Sequence, residues 1–474
     1  MDKKKELMKN TLVFSFGVFG AKLMQFLLVP LYTIYMTSSS FNTADLIIST
    51  VSLLLPFLTL GMAHGILRFS IGKAENRKSL LLFSLPLCFI GCALLFLATP
   101  VLKMTKLFDG YELYIPVLFL LSSSKTILAN YCKSIDKNRV FAIEGIMSAT
   151  LIALLSWLFL GYFKFGVQGY LLAYIISNAI SVIYFIITCT ILSTIKKGVY
   201  RIEVIKETLR YSIPLMPNDL AWWIIHMSDR YMVTWICGAA ISGIYTIAYK
   251  IPGIFNMIVS IFNQAFSLSA FKECDMNGKN ADGKYNGSFF ESVYSKYLTI
   301  VSLSASFVIL VTQPVAYICI KNEFYSSWRY TAYLLIAFVI GGVEAYFAGI
   351  LTGIKKTDIC FISTVAGAIA NVVVNLALIP VLQTYGAIIG TIVGYLIVYI
   401  IRLIGVKKNV AMNTYDKTSF TSLAVIAIQC FCYAQDKLAI RLLSIFGFVV
   451  LFIIHFKNIK YFTNAIVKKF KHQG

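Results

Sequence analysis

An all-α polytopic membrane protein with about fourteen transmembrane helices is the fold class that the sequence predicts. Three observations lead there. Of the 474 residues, 58% are hydrophobic and only 13% charged, where soluble domains carry about 25% charged residues. Apolar runs of roughly 20 residues, the length that crosses a bilayer core, recur along the whole chain. The basic residues behind the net charge of +21 gather on alternate connecting loops, a pattern that reports orientation in a membrane rather than binding to nucleic acid.

Taken in order, the first span follows the basic start MDKKK and runs from Thr11 to Met36, too long for a signal-peptide core, so no cleaved leader is expected. The next five lie at Asp45 to Leu67, Ser79 to Thr99, Leu113 to Tyr131, Phe141 to Leu160 and Val167 to Leu192. Six more follow at Ser212 to Thr234, Ile241 to Ser267, Tyr294 to Val311, Thr331 to Leu351, Ile359 to Val381 and Ala387 to Ile404. The last two are Phe420 to Tyr433 and Ile440 to His455. Loops expected outside hold seven of the 42 basic residues (Lys103, Lys106, Lys164, Lys321, Arg329, Lys437 and Arg441), and Lys22, Lys125, Arg230 and Lys250 lie within spans. Most of the others fall on the termini or the even-numbered loops, which places both termini in the cytoplasm.

The longest polar excursion, Lys272 to Ser292, is rich in Gly, Asn and Asp and reads as a mobile connector. No G-x-x-x-x-G-K-[ST] occurs, so the chain carries no P-loop of its own. The ten cysteines lack paired zinc-ligand spacing and lie mostly within apolar runs, where free thiols act as small hydrophobes; neither a metal site nor a disulfide framework is expected.

An ionisable group inside a span is costly and is kept where it faces protein or water. Lys22 falls near the bilayer middle, about eleven residues into the first span at ~1.5 Å per residue; its stem either snorkels to water or serves a site. Lys125 and Lys250 have the same two readings. Asp229 and Arg230 are neighbours and point roughly 100° apart on a helix, so they do not pair with each other, whereas His226 shares the face of Arg230. They read either as parts of interhelical salt bridges or as an anion site beside a carboxylate that couples to an ion. Glu344, after Gly341 and Gly342, is either a structural partner of a lysine or a proton or sodium site, and Glu144 reads as interfacial. Pro30, Pro56, Pro214, Pro217 and Pro252 fall in spans one, two, seven and eight, where each permits a kink. Those span pairs also echo one another, with small polar breaks at Thr37 to Asn42 and Cys237 to Ser242 about 200 residues apart, as in transporters built from repeats.

Two stretches carry a family resemblance. Polar residues and proline entering a span, then SDRYM from Ser228 to Met232, then G-x-Y-x-x-A-Y-K from Gly243 to Lys250, resemble the Wzx-type flippases of lipid-linked polysaccharide units. So does Thr43 to Lys73, with D-L-I at Asp45 to Ile47, a mid-span Pro56 and an L-G ending in Arg68; Asn42, Thr43 and Ala44 stand where the family has tyrosine-glycine. The resemblance implies two pseudo-symmetric six-helix lobes of the kind found in multidrug cation antiporters (MATE-like) of the same superfamily, at residues 1–210 and 211–409, with two helices and a basic cytoplasmic tail in 410–474. It implies a non-enzymatic flippase in a bacterial cytoplasmic membrane that moves undecaprenyl-pyrophosphate-linked oligosaccharide, with no cofactor beyond H+ or Na+ coupling. Lys22, Arg230, Lys250 and Lys125 would receive the anionic head group, and Asp229 and Glu344 the coupling ion. A polysaccharide polymerase and a chain-length regulator are the implied partners. The rival expectation is an ion-coupled cation antiporter, which the excess of intramembrane cations disfavours.

Overall fold

Backbone polar groups have no water to bond in a hydrocarbon core, so a spanning chain satisfies them within helices, and this chain is helical almost throughout. The computed structural model describes residues 24, 26–70, 74–196, 200–276, 283–413, 417–435, 438–461 and 464. Lys22 and the first half of the expected first span lie outside the described residues.

The chain forms two compact units: Met1–Trp223 with Val233–Gly243 and Cys319–Phe324, and Ile224–Met232 with Ile244–Ile318 and Tyr325–Gly474. The helices are α1 (Val29–Tyr35), α2 (Ser38–Leu58), α3 (Met62–Phe69), α4 (Ala74–Met104), α5 (Tyr114–Ser134), α6 (Asn138–Ser156), α7 (Gly166–Thr188), α8 (Ile191–Lys196) and α9 (Ile202–Ser212). They continue with α10 (Met216–Cys237), α11 (Ala239–Ala248), α12 (Lys250–Met276), α13 (Ser288–Cys319), α14 (Trp328–Gly353), α15 (Thr357–Leu382), α16 (Thr384–Asn409), α17 (Lys417–Tyr433) and α18 (Leu438–Ile454). Among the described residues ten helices are long and apolar enough to cross a membrane. The seventh expected span is α10, which carries Asp219, Asp229 and Arg230, and the last two are the 17-residue α17 and α18.

Local chemistry moves several expected boundaries. The second span stops at Leu58, because Gly61 takes a left-handed backbone (φ 65°) and the short α3 starts beyond it. The eighth span breaks at Tyr249 between α11 and α12. The prolines fall at helix ends that interrupt the expected spans, Pro214 within the 3-10 turn Ile213–Leu215. Pro30, Pro217 and Pro252 occupy first turns, where a missing N–H costs nothing, and Pro56 lies in the last turn of α2. The polar excursion is not entirely irregular: α12 reaches Met276, and Tyr285–Asn286 pairs in parallel with Val410–Ala411.

In the first unit a buried cluster of Met62, Ile66, Leu80, Leu81, Ile127, Leu128 and Phe185 joins α3, α4, α5 and α7. In the second, aromatic rings do the equivalent packing: Tyr346 of α14 stacks on Phe266 of α12 at 4.2 Å and on Tyr297 of α13 at 5.3 Å between ring centres. Many apolar side chains of α4 face outward, including Phe89, Leu94 and Leu97, as suits a lipid-facing surface.

A repeat is visible in detail. Helices α5 and α14 both end in a Schellman motif, with Asp136 (φ 59°) and Lys355 (φ 61°) left-handed. The paired bonds are Asp136 N–H to Lys133 O and Lys137 N–H to Cys132 O in one, Lys355 N–H to Thr352 O and Lys356 N–H to Leu351 O in the other. Lys125 and Glu344 stand the same number of residues before the two cap residues, Ile135 and Ile354. The path from the start of α6 to the start of α7 is one residue longer than its counterpart from α15 to α16, and a π-helix at Trp157–Tyr162 takes up the extra residue.

Gly243 of α11 lies against the first residue of α2: a β-carbon there would stand 2.0 Å from the Ser38 carbonyl oxygen. We expect Gly243→Ala to destabilise the protein by about 1–3 kcal/mol through overpacking, read as a lowered thermal transition of the purified protein. An unchanged transition would show that the backbones can part at no cost.

Candidate functional site

SDRYM lies midway along α10, and its Asp229 is wholly buried. A carboxylate in that position needs hydrogen bonds to replace its water. One oxygen, Oδ1, accepts the backbone N–H of Arg230 at 2.8 Å. The other accepts the hydroxyls of Tyr245 at 2.6 Å, Tyr249 at 2.5 Å and Thr391 at 3.3 Å. Tyr245 and Tyr249 are the two tyrosines of G-x-Y-x-x-A-Y-K, four residues apart and therefore on one face, so the two motifs noticed in the sequence meet at one carboxylate. The Arg230 guanidinium lies over the Tyr249 ring, 4.9 Å from its centre, a cation–π contact. His226 takes the face expected of it, and its Nδ1 is 3.1 Å from the Tyr395 hydroxyl.

Amide and hydroxyl groups of α15 and α16 extend this cluster. Ser228 donates to Asn371 Oδ1 at 3.2 Å, and Asn375 Nδ2 donates to the same oxygen at 3.1 Å. The Asn375 side-chain oxygen is buried with no hydrogen-bond donor, and it packs where a β-carbon on Gly390 would stand at 1.9 Å. An oxygen left without a donor is costly in a dry interior, and carboxylate, hydroxyl and amide oxygens are the ligands of hard cations.

The remaining predicted residues separate. Lys250 opens α12 directly after Tyr249 and is half-buried. Lys125 of α5 pairs with Glu144 of α6 at 2.9 Å and donates to Ser148 at 2.7 Å. Glu144, expected at the interface, is covered by protein, with Lys125 as its partner. Glu344 of α14 forms a buried ion pair with Arg402 of α16 rather than with a lysine. Arg402 also donates to Ser363 at 3.0 Å and to Thr364 at 3.1 Å. Lys125 and Glu344 hold equivalent places in the repeat, and Glu144 falls the same step into α6 as Ser363 into α15; each unit pairs this position with an opposite charge, from α6 in the first and from α16 in the second. Sequence reasoning missed Arg402, although it lies inside the apolar run from Ala387 to Ile404. It also missed Thr391, Asn371 and Asn375, which as neutral residues gave no signal of their own.

The helical architecture, with ten described helices long and apolar enough to cross a bilayer, defines a polytopic helical membrane protein. The sequence profile described as polysaccharide biosynthesis protein matches residues 7–268, and the chain belongs to that family. No curated protein matches it. Among solved structures it is similar to the lipid II flippase MurJ in an inward closed conformation, at 12% identity and a TM-score of 0.67 over 96% of this chain and 100% of that one. It is also similar to a MATE structure in complex with MaL6 (14% identity, TM-score 0.61, 86% of this chain and 96% of that one). A third similar structure is a MOP superfamily transporter from Pyrococcus furiosus (14% identity, TM-score 0.56, 86% and 96%). These likenesses establish the MurJ/MATE-like fold.

Removing one member of a buried ion pair strands the other. We expect Arg402→Met to cost about 3–5 kcal/mol and the double variant Glu344→Met/Arg402→Met to regain most of the loss, measured by chemical denaturation of the purified protein. A double variant no better than the single one would contradict a pair that serves only to neutralise itself.

Proposed function

We propose that the protein is a flippase that moves undecaprenyl-pyrophosphate-linked oligosaccharide repeat units, of an O-antigen, capsule or exopolysaccharide, from the inner to the outer leaflet of the bacterial cytoplasmic membrane. Membership of the polysaccharide biosynthesis family is the observation that carries this reading. The similarity to a structure named as a lipid II flippase supports it, since that name also denotes a lipid-borne cargo. Both termini lie in the cytoplasm, residues 1–210 and 211–409 act as the two lobes of an alternating-access cycle, and 410–474 is appended to them. A polysaccharide polymerase and a chain-length regulator act on the product.

A pyrophosphate loses its hydration when it leaves the membrane surface, so cations must replace that water. Arg230, Lys250 and Lys22 take this role, with Lys125 contributing less because Glu144 already holds it. The prenyl chain stays in lipid and asks nothing of the protein. No covalent bond changes, and the sequence carries no P-loop, so the work is drawn from an ion gradient, the membrane potential or consumption of the flipped product. Asp229 is the residue we assign to that ion, a proton or Na+: three hydroxyl groups that now donate to it can turn lone pairs to a cation instead. Glu344 is the second carboxylate considered, and its pairing with Arg402 gives it the lesser share.

Depleting the protein from its host and locating the lipid-linked glycans tests the reading. Finished repeat units accumulating on the cytoplasmic face, with surface polysaccharide lost, is the expected result; normal surface glycan together with impaired export of drug cations would replace the flippase by a cation antiporter. In the same cells we expect Asp229→Asn to lower surface polysaccharide about tenfold, the cost of a lost charge-assisted interaction, and to abolish its dependence on external pH and Na+. Full activity under every ion condition would remove Asp229 from the coupling role.

A further inference from the structure

A cavity of about 420 Å³ lies in the first unit, and no residue of the Asp229 cluster lines it. Its walls come from the end of α2, the turn at Thr59 and Gly61, α3, α5 and the start of α10. This volume falls in the ~300–1,000 Å³ range of small-molecule sites, which are mostly apolar with a few placed polar groups. Leu53 and Leu220 supply apolar wall, and His64, Asn130, Asp219 and Trp223 are among the groups that supply polar atoms.

The polar groups are held in place before any ligand arrives. Asp219 and Trp223 are four residues apart on α10 and so share a face. The Trp223 indole N–H donates to the Ser49 carbonyl at 3.1 Å, which fixes the ring. Asp219 Oδ2 lies 3.0 Å from His64 Nε2. A carboxylate has about four lone-pair directions, so bonding His64 leaves Asp219 able to accept further hydroxyl groups. Asn130 adds an amide that both donates and accepts.

The choice of ligand class follows from charge and shape. No lysine or arginine lines the cavity, so it is unsuited to the pyrophosphate. His64 already engages one oxygen of the single carboxylate, Asp219, and no second carboxylate lines the cavity to hold a cation. A rigid aromatic side chain beside planar carboxylate and amide groups fits a pyranose ring, whose C–H faces are apolar and whose rim carries hydroxyls that donate and accept. We propose that this cavity holds one uncharged sugar ring of the glycan head group, making the first unit a reader of sugar identity separate from the cations that take the phosphates. The inference rests on the flippase reading. It also places sugar recognition at the membrane side that the loop charges assign to the cytoplasm, where transport begins.

The test measures binding to the full-length protein in lipid nanodiscs. The probes are undecaprenyl pyrophosphate bearing the repeat unit, extracted from cells depleted of the protein, and sugar-free undecaprenyl pyrophosphate. We expect wild type to bind the glycan-bearing carrier more tightly. Asp219→Asn and Asn130→Ala should each weaken that binding about tenfold and leave the sugar-free carrier unaffected. Asn130→Ala keeps the test open if loss of the His64 contact disturbs folding in Asp219→Asn. Equal binding of the two carriers by wild type would overturn the sugar site while leaving the flippase reading in place, and binding of neither would end both. Equal weakening of both carriers by the variants would show a structural role and overturn the site. So would tetraphenylphosphonium binding that Asp219→Asn abolishes, which would make the cavity a cation site.

Discussion

Charge held away from water must be answered within the protein, and this constraint governs the interior of the molecule. Asp229 is its most concentrated case. Four donors from α10, the α11–α12 junction and α16 converge on one carboxylate. Loss of the charge, or its transfer to a bound cation, releases donors on three segments at once. That makes the cluster a suitable place for an ion to influence helix arrangement, because the ion's effect is set by differential interaction with two states and not by distance.

The two ion pairs, one buried on both sides and one on the carboxylate side, show the same constraint met in another way. In one unit a lysine on α5 meets a glutamate on α6, and in the other a glutamate on α14 meets an arginine on α16. The backbone around them repeats closely, down to the bonds of the helix caps. The helical frame is thus shared while its charges are rewritten. Pairing of this kind fixes helix packing without leaving net charge for a ligand.

Helix class and approximate spans were legible in the sequence, because the need to satisfy backbone groups in lipid leaves long apolar runs that composition alone reveals. Boundaries were less so. The end of α2 at Leu58 depends on the left-handed Gly61, and the break at Tyr249 leaves no turn signal stronger than Pro252 nearby. Asp229 and Arg230 stood out as charges in an apolar run, and the two tyrosines were visible as part of a motif. Their meeting was not, because it requires α10 to be packed against α11 and α12. Thr391, Asn371 and Asn375 are ordinary residues for a membrane helix, and only the fold gives them a carboxylate to surround. Glu144 stood out only by its place near a helix end, and its partner Lys125 on the adjacent helix became visible with the fold.

Transport by the purified protein tests the central claim most directly. Vesicles containing the protein and glycan-bearing undecaprenyl pyrophosphate would be given a membrane-impermeant glycosidase, and the fraction of carrier cleaved followed in time with and without an ion gradient. The account predicts cleavage beyond the half initially exposed, at a rate that depends on the gradient and that falls in Asp229→Asn. Cleavage halting at the exposed half, as in protein-free vesicles, would contradict it.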